Sequence, residues 1–88
     1  MVKHFHIDIK GKVNQLGYKL HTMILANKYT ILGNISEWNN LIEIEAEGEE
    51  ANLEIFIASC KKGLPESKII EIMINEKPLA YYDEFTIL

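Results

Sequence analysis

Residues 31–47 read ILGNISEWNNLIEIEAE, and this stretch decides the fold. Apolar residues alternate with polar ones both before and after Asn39-Asn40. Alternation with a period of two is typical of a strand with one buried face, and asparagine tolerates the positive φ angles of a tight turn. The stretch therefore predicts a β-hairpin whose first strand ends near Glu37.

The sequence before this hairpin predicts a strand, a loop and a helix. Residues 5–9 again alternate apolar and polar side chains, which indicates a half-buried strand. A glycine at each end marks residues 11–17 as a loop. From Tyr18 to about Lys28, the spacing of the apolar residues predicts a helix. Its expected buried side carries Leu20, Met23, Ile24 and Ala26.

The sequence after the hairpin predicts a second helix and two strands. Residues 49–62 begin with glutamates and end with lysines, as the helix dipole favours, and Gly63 and Pro65 end the helix. Residues 69–74 are almost continuously apolar, which predicts a central strand, and residues 85–87 predict a short edge strand. The helix is expected to bury Leu53, Phe56, Ile57 and Cys60.

The order of these elements is βαββαβ with a short C-terminal strand, and it predicts a single domain over residues 1–88. One antiparallel sheet covered on one face by two helices accommodates this order. That arrangement is the ferredoxin-like two-layer α/β sandwich, of the α+β class. The fold hosts many unrelated activities, so it does not assign a function by itself.

The composition excludes several classes of protein. Thirteen acidic residues and nine basic residues leave a net charge of −4, and every basic residue is a lysine. An acidic chain lacks the cationic face that nucleic acids require, and lysine cannot make the paired hydrogen bonds of an arginine. Cys60 is the single cysteine, and no apolar run is long enough for a membrane span. We expect a cytoplasmic monomer that binds neither nucleic acid nor membrane.

The segment Gly11–Gly17 connects a predicted strand with a predicted helix. Backbone N–H groups in such a segment can converge on an anion, and Lys19 follows closely enough to reach the same anion. The segment does not match a strict phosphate-loop motif, which favours an ordinary connection with solvated lysines. The spacing alone leaves both interpretations open.

Residues 11–19, GKVNQLGYK, resemble the acylphosphatase motif G-[RK]-V-Q-G-V-G-[FY]-R. The resemblance continues in order along the chain. Residues 33–37, GNISE, occupy the place of the family's G-x-V-x-N strand, and Asn39-Asn40 that of its D-G turn. Residues 62–65, KGLP, follow the second helix as they do in the family. The chain is similar to acylphosphatases from end to end, and the family's fold agrees with the one predicted above.

The resemblance implies hydrolysis of carboxyl-phosphate anhydrides without a metal or an organic cofactor. In the family, loop amides and the closing arginine of the motif bind the phosphate, and an asparagine on the second strand holds the attacking water. The expected ligand is therefore a small phosphorylated anion, either an acyl phosphate or phosphate. The resemblance assigns the phosphate-binding backbone to Asn14, Gln15, Leu16, Gly17 and Tyr18. The two catalytic positions are occupied by Lys19 and Glu37.

Three residues of this chain depart from the family pattern. Lys19 replaces the arginine and keeps its charge without its two-point geometry, and Gln15 replaces a glycine of the loop. Glu37 replaces the asparagine, and its parity with Ile35 directs it to the helix-covered side of the sheet. There it can activate water, repel a phosphate, or pair with Lys19. At 4 Å and an effective dielectric constant of about 20, that attraction is about 4 kcal/mol.

Two functions are compatible with these departures. One is an acylphosphatase-like hydrolase with weakened activity, and the other is a non-catalytic homologue that binds an anion or a protein. Nucleic-acid binding by this type of sheet requires exposed aromatic residues on the first and third strands. The sequence instead predicts polar residues there, namely His4, His6, Asp8, Glu43 and Glu45.

His4, His6 and Asp8 share the strand face that points away from the helices. Two histidines two residues apart can bind a metal, but their spacing supplies no third ligand. The sequence therefore favours a solvated polar face over a metal site. We also expect Cys60 to be an inert core thiol and Trp38 to pack over the hairpin turn.

Overall fold

The computed structural model describes residues 1–12, 15–63 and 67–88, and the helix stop predicted at Pro65 lies outside them. The described elements follow the predicted order. They are β1 (Val2–Lys12), α1 (Gln15–Lys28), β2 (Leu32–Trp38), β3 (Leu41–Glu49), α2 (Glu50–Lys62), β4 (Lys68–Lys77) and β5 (Phe85–Ile87). Two helices pack on one face of a five-stranded sheet, which confirms the ferredoxin-like α+β fold.

The strand order in the sheet is β4-β1-β3-β2-β5. Neighbouring strands are antiparallel except β5, which is parallel to β2, so the sheet is mixed and the expectation of a purely antiparallel sheet is wrong. The reason is the path after β4. The chain leaves β4 at the end of the sheet where β2 begins, and residues 78–84 carry it to the opposite edge. β5 then runs beside β2, and the Leu88 N–H donates to the Ile35 carbonyl at 2.9 Å.

β4 is an edge strand, so the prediction that it is central is wrong. The strand has one paired neighbour, β1, and their register shifts at Lys10/Gly11. Ile70 is the extra residue at this irregularity and is 80% exposed. Ile72 lies opposite Ile9 and packs against the core. A run of isoleucines marked a strand correctly, but only pairing with neighbours decides whether a strand is central.

The two helices differ in how well their buried faces were predicted. α2 buries Leu53, Phe56 and Cys60 as expected, with Ile57 packed against the core. α1 buries Ala26 and packs Met23 against the core as expected. It also buries Tyr18 and Thr22, whereas the predicted Ile24 is 63% exposed and Leu20 is also exposed. Thr22 is accommodated in the core because its hydroxyl donates to the Tyr18 carbonyl at 2.8 Å.

The hairpin turn forms as predicted. Asn39 and Asn40 have φ angles of 55° and 67°, the left-handed conformation that a two-residue hairpin turn requires. Trp38 is 74% exposed, so the expectation that it packs over this turn is wrong. Its register partner is Leu41, at the last pair before the turn.

Gly33 is required by the close approach of two strands. Its φ is 140°, and a Cβ atom added there would lie 1.8 Å from the Glu45 carbonyl oxygen. Gly11 has the same function between β1 and β4, since its Cβ would lie 2.2 Å from the Lys68 carbonyl oxygen. Both glycines of the family motifs therefore have a packing role in this chain.

Replacement of Gly33 by alanine should destabilise the protein by about 3 kcal/mol, because both the φ angle and the Glu45 backbone oppose a Cβ atom. Urea denaturation measures the free energy of unfolding. Gly48→Ala is the matched control, since Gly48 has no positive φ and its nearest contacts, the Ile31 Cδ1 at 2.9 Å and the Thr30 carbonyl oxygen at 3.2 Å, are less close. Equal losses for the two variants would contradict the role assigned to Gly33.

Candidate active site

The predicted loop is shorter than the sequence suggested. Gly11 and Lys12 belong to β1, and α1 already begins at Gln15, so Gln15–Gly17 are helical and not part of a loop. Asn14 and the side chain of Gln15 lie outside the described residues. The backbone assigned to phosphate binding is therefore largely the first turn of a helix.

The first turn of α1 carries no acidic side chain. The N–H groups of a first turn point toward the helix end, where the macrodipole also favours an anion. α2 differs, because Glu50 lies in its first turn and pairs with Lys3 at 2.8 Å. Of the two helix starts, that of α1 is the one suited to an external anion.

Tyr18 fixes the start of α1 in place. Its side chain is fully buried, and its hydroxyl donates to the Cys60 carbonyl at the end of α2, at 2.9 Å. Burial is also the main reason that the pKa of the Tyr18 hydroxyl is raised. The side chain is therefore structural, and only the Tyr18 backbone belongs to the segment predicted to bind phosphate. The sequence carried no signal for this contact between the two helices.

Lys19 and Leu16 lie near Tyr18 in the first two turns of α1. Lys19 is half-buried, whereas Leu16 is exposed. A half-buried lysine in the first two turns adds a positive charge to the same helix end. The role of Lys19 stays a prediction.

Glu37 lies on the helix-covered side of the sheet, as its parity predicted. It pairs with Ile42, which in turn pairs with Ile9, and both isoleucines are buried in the core. Glu37 is half-buried and is one residue from the end of β2, at the end of the sheet where β1 leads into α1. The Glu37 carboxylate therefore lies at one end of a row of cross-strand partners whose other members, Ile42 and Ile9, are apolar. This end of the sheet is where α1 starts. Its pairing with Lys19 stays a prediction.

Cys60 is a core thiol, as predicted. It is free and buried, and burial raises its pKa to about 12. A thiol with so high a pKa has almost no thiolate at neutral pH, so it is not a nucleophile for phosphoryl transfer.

The acylphosphatase family profile matches residues 5–87. The chain belongs to the acylphosphatase family. Membership supports an acylphosphatase-like function and the binding of an acyl phosphate or phosphate. The β1–α1 junction described above coincides with the residues that resemble the family's phosphate-binding motif.

Named acylphosphatases are similar to this chain in both sequence and structure. An acylphosphatase of Staphylococcus aureus strain Newman is 29% identical over 79 residues, which cover 89% of each protein. The crystal structure of acylphosphatase from Bacillus subtilis has a TM-score of 0.92 at 29% identity, and covers 100% of this chain and 99% of that one. Full-length HypF, solved in a phosphate- and nucleotide-bound form, contains a region with a TM-score of 0.92 and 31% identity. That region is 12% of the HypF chain.

No helix among the described residues is long and apolar enough to cross a membrane.

The face of the sheet opposite the helices carries a network of ionisable side chains. His4 Nε2 is 2.7 Å from one Glu45 oxygen, and His6 Nδ1 bonds to the other. His6 Nε2 lies 2.9 Å from Asp8 Oδ1, and His4 Nδ1 lies 2.8 Å from the Pro78 carbonyl oxygen. His4 is only 5% exposed, so the interpretation of this face as simply solvated is wrong.

The two carboxylates beside His6 determine its charge. Desolvation is the largest single influence and lowers the pKa of His6, but the hydrogen bonds and charges of Glu45 and Asp8 together raise it above its usual value. The alternation along β1 and β3 predicted which residues share this face. It did not predict that each imidazole would lie against a carboxylate.

Residues 78–84 cover part of this face and explain the burial of His4. We call them the strap. Glu47, which is 4% exposed, accepts hydrogen bonds from the Ala80 N–H at 2.6 Å and the Tyr82 N–H at 2.9 Å. The Tyr82 ring packs edge-on against His4, with ring centroids 5.5 Å apart. A buried carboxylate thus satisfies two backbone donors of a segment without regular structure.

Tyr18→Phe should reduce the free energy of unfolding by about 1 kcal/mol, because it removes a buried hydrogen bond and leaves the Cys60 carbonyl without that donor. Urea denaturation measures the loss. Tyr81→Phe is the matched control, since Tyr81 is 79% exposed. A Tyr18→Phe variant as stable as the control would show that the hydroxyl does not hold the two helices together.

Glu47→Gln should cost about 2 kcal/mol, because an amide offers one acceptor where the strap presents two N–H donors. Thermal or urea unfolding measures the loss of stability. Faster hydrogen exchange of the Ala80 and Tyr82 amides would show that the loss arises in the strap. Glu49→Gln, on the same strand and exposed, should change stability by less than about 0.5 kcal/mol. Unchanged exchange in the strap would contradict its anchoring by Glu47.

Proposed function

We propose that this chain binds an acyl phosphate at the start of α1 and hydrolyses it slowly, with Lys19 and Glu37 as its catalytic residues. The observation that carries the proposal is the first turn of α1, free of acidic side chains, in a chain of the acylphosphatase family. The second support is Glu37, which the strand register directs to the same end of the sheet.

The reaction is the transfer of a phosphoryl group to water. Water attacks phosphorus, the bond between phosphorus and the carboxyl oxygen breaks, and the carboxylate leaves with the electron pair of that bond. A carboxylate is a stable anion at neutral pH, so it leaves without a proton. Catalysis therefore consists of positioning the water and stabilising the charge on the phosphoryl oxygens. The backbone of Asn14–Tyr18 and the Lys19 ammonium are assigned to those oxygens.

Lys19 and Glu37 are the reason for the low expected rate. An ammonium makes single-point contacts, so it orients a phosphoryl group less strictly than a guanidinium fork. The Glu37 carboxylate can accept a hydrogen bond from the attacking water, but its charge also repels the phosphoryl group. The first effect weakens binding of the transition state, and the second opposes the binding of any phosphorylated anion.

Glu37 also favours a second candidate function, that of a non-catalytic homologue. A half-buried carboxylate at the end of the core row carries a charge suited to neutralise Lys19. The chain would then keep the family fold and bind an anion or a protein without turnover. The two functions differ in one measurable property, which is hydrolysis of an acyl phosphate by the unmodified chain.

Benzoyl phosphate hydrolysis by four proteins tests the proposal: the unmodified chain, Lys19→Arg, Glu37→Asn and the double variant. We expect slow turnover by the unmodified chain. The double variant should have a kcat/KM about 100-fold higher, equivalent to about 2.7 kcal/mol of transition-state stabilisation. Lys28→Arg, at the far end of α1, and Glu54→Asn, on α2, are the matched controls and should not change the rate.

Binding of inorganic phosphate, measured as a rise in the melting temperature of the protein, distinguishes the remaining outcomes. If the unmodified chain and the double variant both bind phosphate and neither hydrolyses benzoyl phosphate, the result would favour the non-catalytic homologue. Neither binding nor turnover in the double variant would show that the start of α1 is not an anion site. Turnover by the unmodified chain at the rate of the double variant would contradict the assigned cost of Lys19 and Glu37.

The proposal carries over two expectations from the composition: a cytoplasmic location and a monomeric state. A free, buried Cys60 accords with the cytoplasmic location. Light scattering coupled to gel filtration tests the monomeric state directly. A dimer at micromolar concentration would contradict it.

A further inference from the structure

A second cluster of functional side chains lies on the strand face opposite the helices, away from the start of α1. Register places Asp8 directly opposite Glu43 and His6 directly opposite Glu45. The side chains of His6 and Asp8 are about one-fifth exposed, so the cluster is sheltered but accessible to water. Because β1 and β3 are both interior strands, each paired on both sides, this cluster is built on a well-supported part of the sheet.

Three of these residues bring metal-ligating atoms close together. A ring nitrogen of His6 and one carboxylate oxygen each from Asp8 and Glu43 all lie within 4.8 Å of one another. Ligands of one tetrahedral zinc ion at about 2.0–2.2 Å lie about 3.3–3.6 Å apart, so the widest of these separations has to close by about 1 Å. Small side-chain rotations therefore bring the three atoms into contact with one ion. Glu43 is the third ligand that the sequence spacing on β1 alone did not supply.

His6 is oriented by a neighbouring carboxylate, as metal-binding histidines usually are. Its Nδ1 bonds to Glu45, which leaves Nε2 directed at Asp8 Oδ1, 2.9 Å away. A carboxylate that accepts the N–H of a ligand imidazole fixes the tautomer and the plane of the ring. Glu45 is in turn held by His4 Nε2 at 2.7 Å, and His4 is buried beneath the strap. The hydrogen bonds that would orient His6 toward an ion are thus already formed.

We propose that His6, Asp8 and Glu43 form a binding site for a divalent transition-metal ion of the zinc class. The ion would take His6 Nε2, Asp8 and Glu43 as protein ligands, with Glu45 as the hydrogen-bond partner of His6. The remaining positions of the ion would be filled by water. On binding, the ion replaces the proton that His6 Nε2 and Asp8 share, and this proton is released to water. The Asp8 and Glu43 carboxylates neutralise the charge of the ion.

The donor set selects between classes of metal. An imidazole nitrogen suits zinc, copper, nickel and iron, whereas magnesium and calcium take oxygen ligands almost alone. Three protein ligands with room for water are typical of open zinc sites. Lys10 is two residues from Asp8 on the same face, so its charge limits the affinity for any cation.

Isothermal titration of the untagged, chelator-treated full chain with zinc chloride tests the site. We expect one zinc ion per chain, with binding weakened at least tenfold in Asp8→Asn and in Glu43→Gln. Glu45→Gln should weaken it by about tenfold through the orientation of His6. His21→Gln, on α1, and Glu54→Gln, on α2, are the matched controls and should bind zinc like the unmodified chain.

Nuclear magnetic resonance of the histidine rings identifies the ligand without a substitution that could disturb folding. The His6 Nε2 resonance should shift on addition of zinc, while those of His21 should not. The site is refuted if the unmodified chain binds no zinc, if Asp8→Asn and Glu43→Gln bind it unchanged, or if the shift falls on His21. Binding of magnesium as tight as that of zinc would contradict the assigned role of the imidazole.

Discussion

The antiparallel register of β1 with β3 is the constraint on which the rest of the structure depends. It pairs Ile7 with Ile44 and Ile9 with Ile42, and all four are buried beneath the helices. The same register pairs His6 with Glu45 on the other face. Because side chains alternate along a strand, a slip of one residue would move the isoleucines to water and the charged network into the core. Both the core and the polar face are therefore fixed by one pairing.

That pairing also positions the candidate active site. The tight turn at Asn39-Asn40 joins β2 to β3 as a hairpin, and the register of this hairpin pairs Glu37 with Ile42. β1 ends at the same end of the sheet and leads into α1, whose first turn Tyr18 anchors to α2. Strand register thus places Glu37 at the same end of the sheet as the start of α1, the proposed anion site, although the two are far apart in sequence.

Much of this arrangement could be predicted, and the errors share a cause. Alternation predicted the hairpin, and helical spacing predicted the buried face of α2. The buried face of α1 was misjudged because Thr22 enters the core by bonding to the Tyr18 carbonyl, which hydrophobicity does not register. β4 was misplaced for a related reason, since Ile70 is apolar yet exposed at a register irregularity on an edge strand. At the site, parity predicted the face occupied by Glu37, but no local pattern revealed the role of the Tyr18 side chain.

The sequence by itself determined the order of the elements, the turn and the resemblance to acylphosphatases, and it predicted Lys19 and Glu37 at the positions of their arginine and asparagine. These properties depend on near neighbours in the chain, where periodicity and turn preferences act. Only the tertiary structure decided which strand is central, why His4 is buried, and that Glu43 joins His6 and Asp8. These depend on contacts between residues tens of positions apart, such as Glu47 with Tyr82 and His6 with Glu45. Such contacts are set by packing and hydrogen-bond geometry in three dimensions, which local patterns in the chain do not encode.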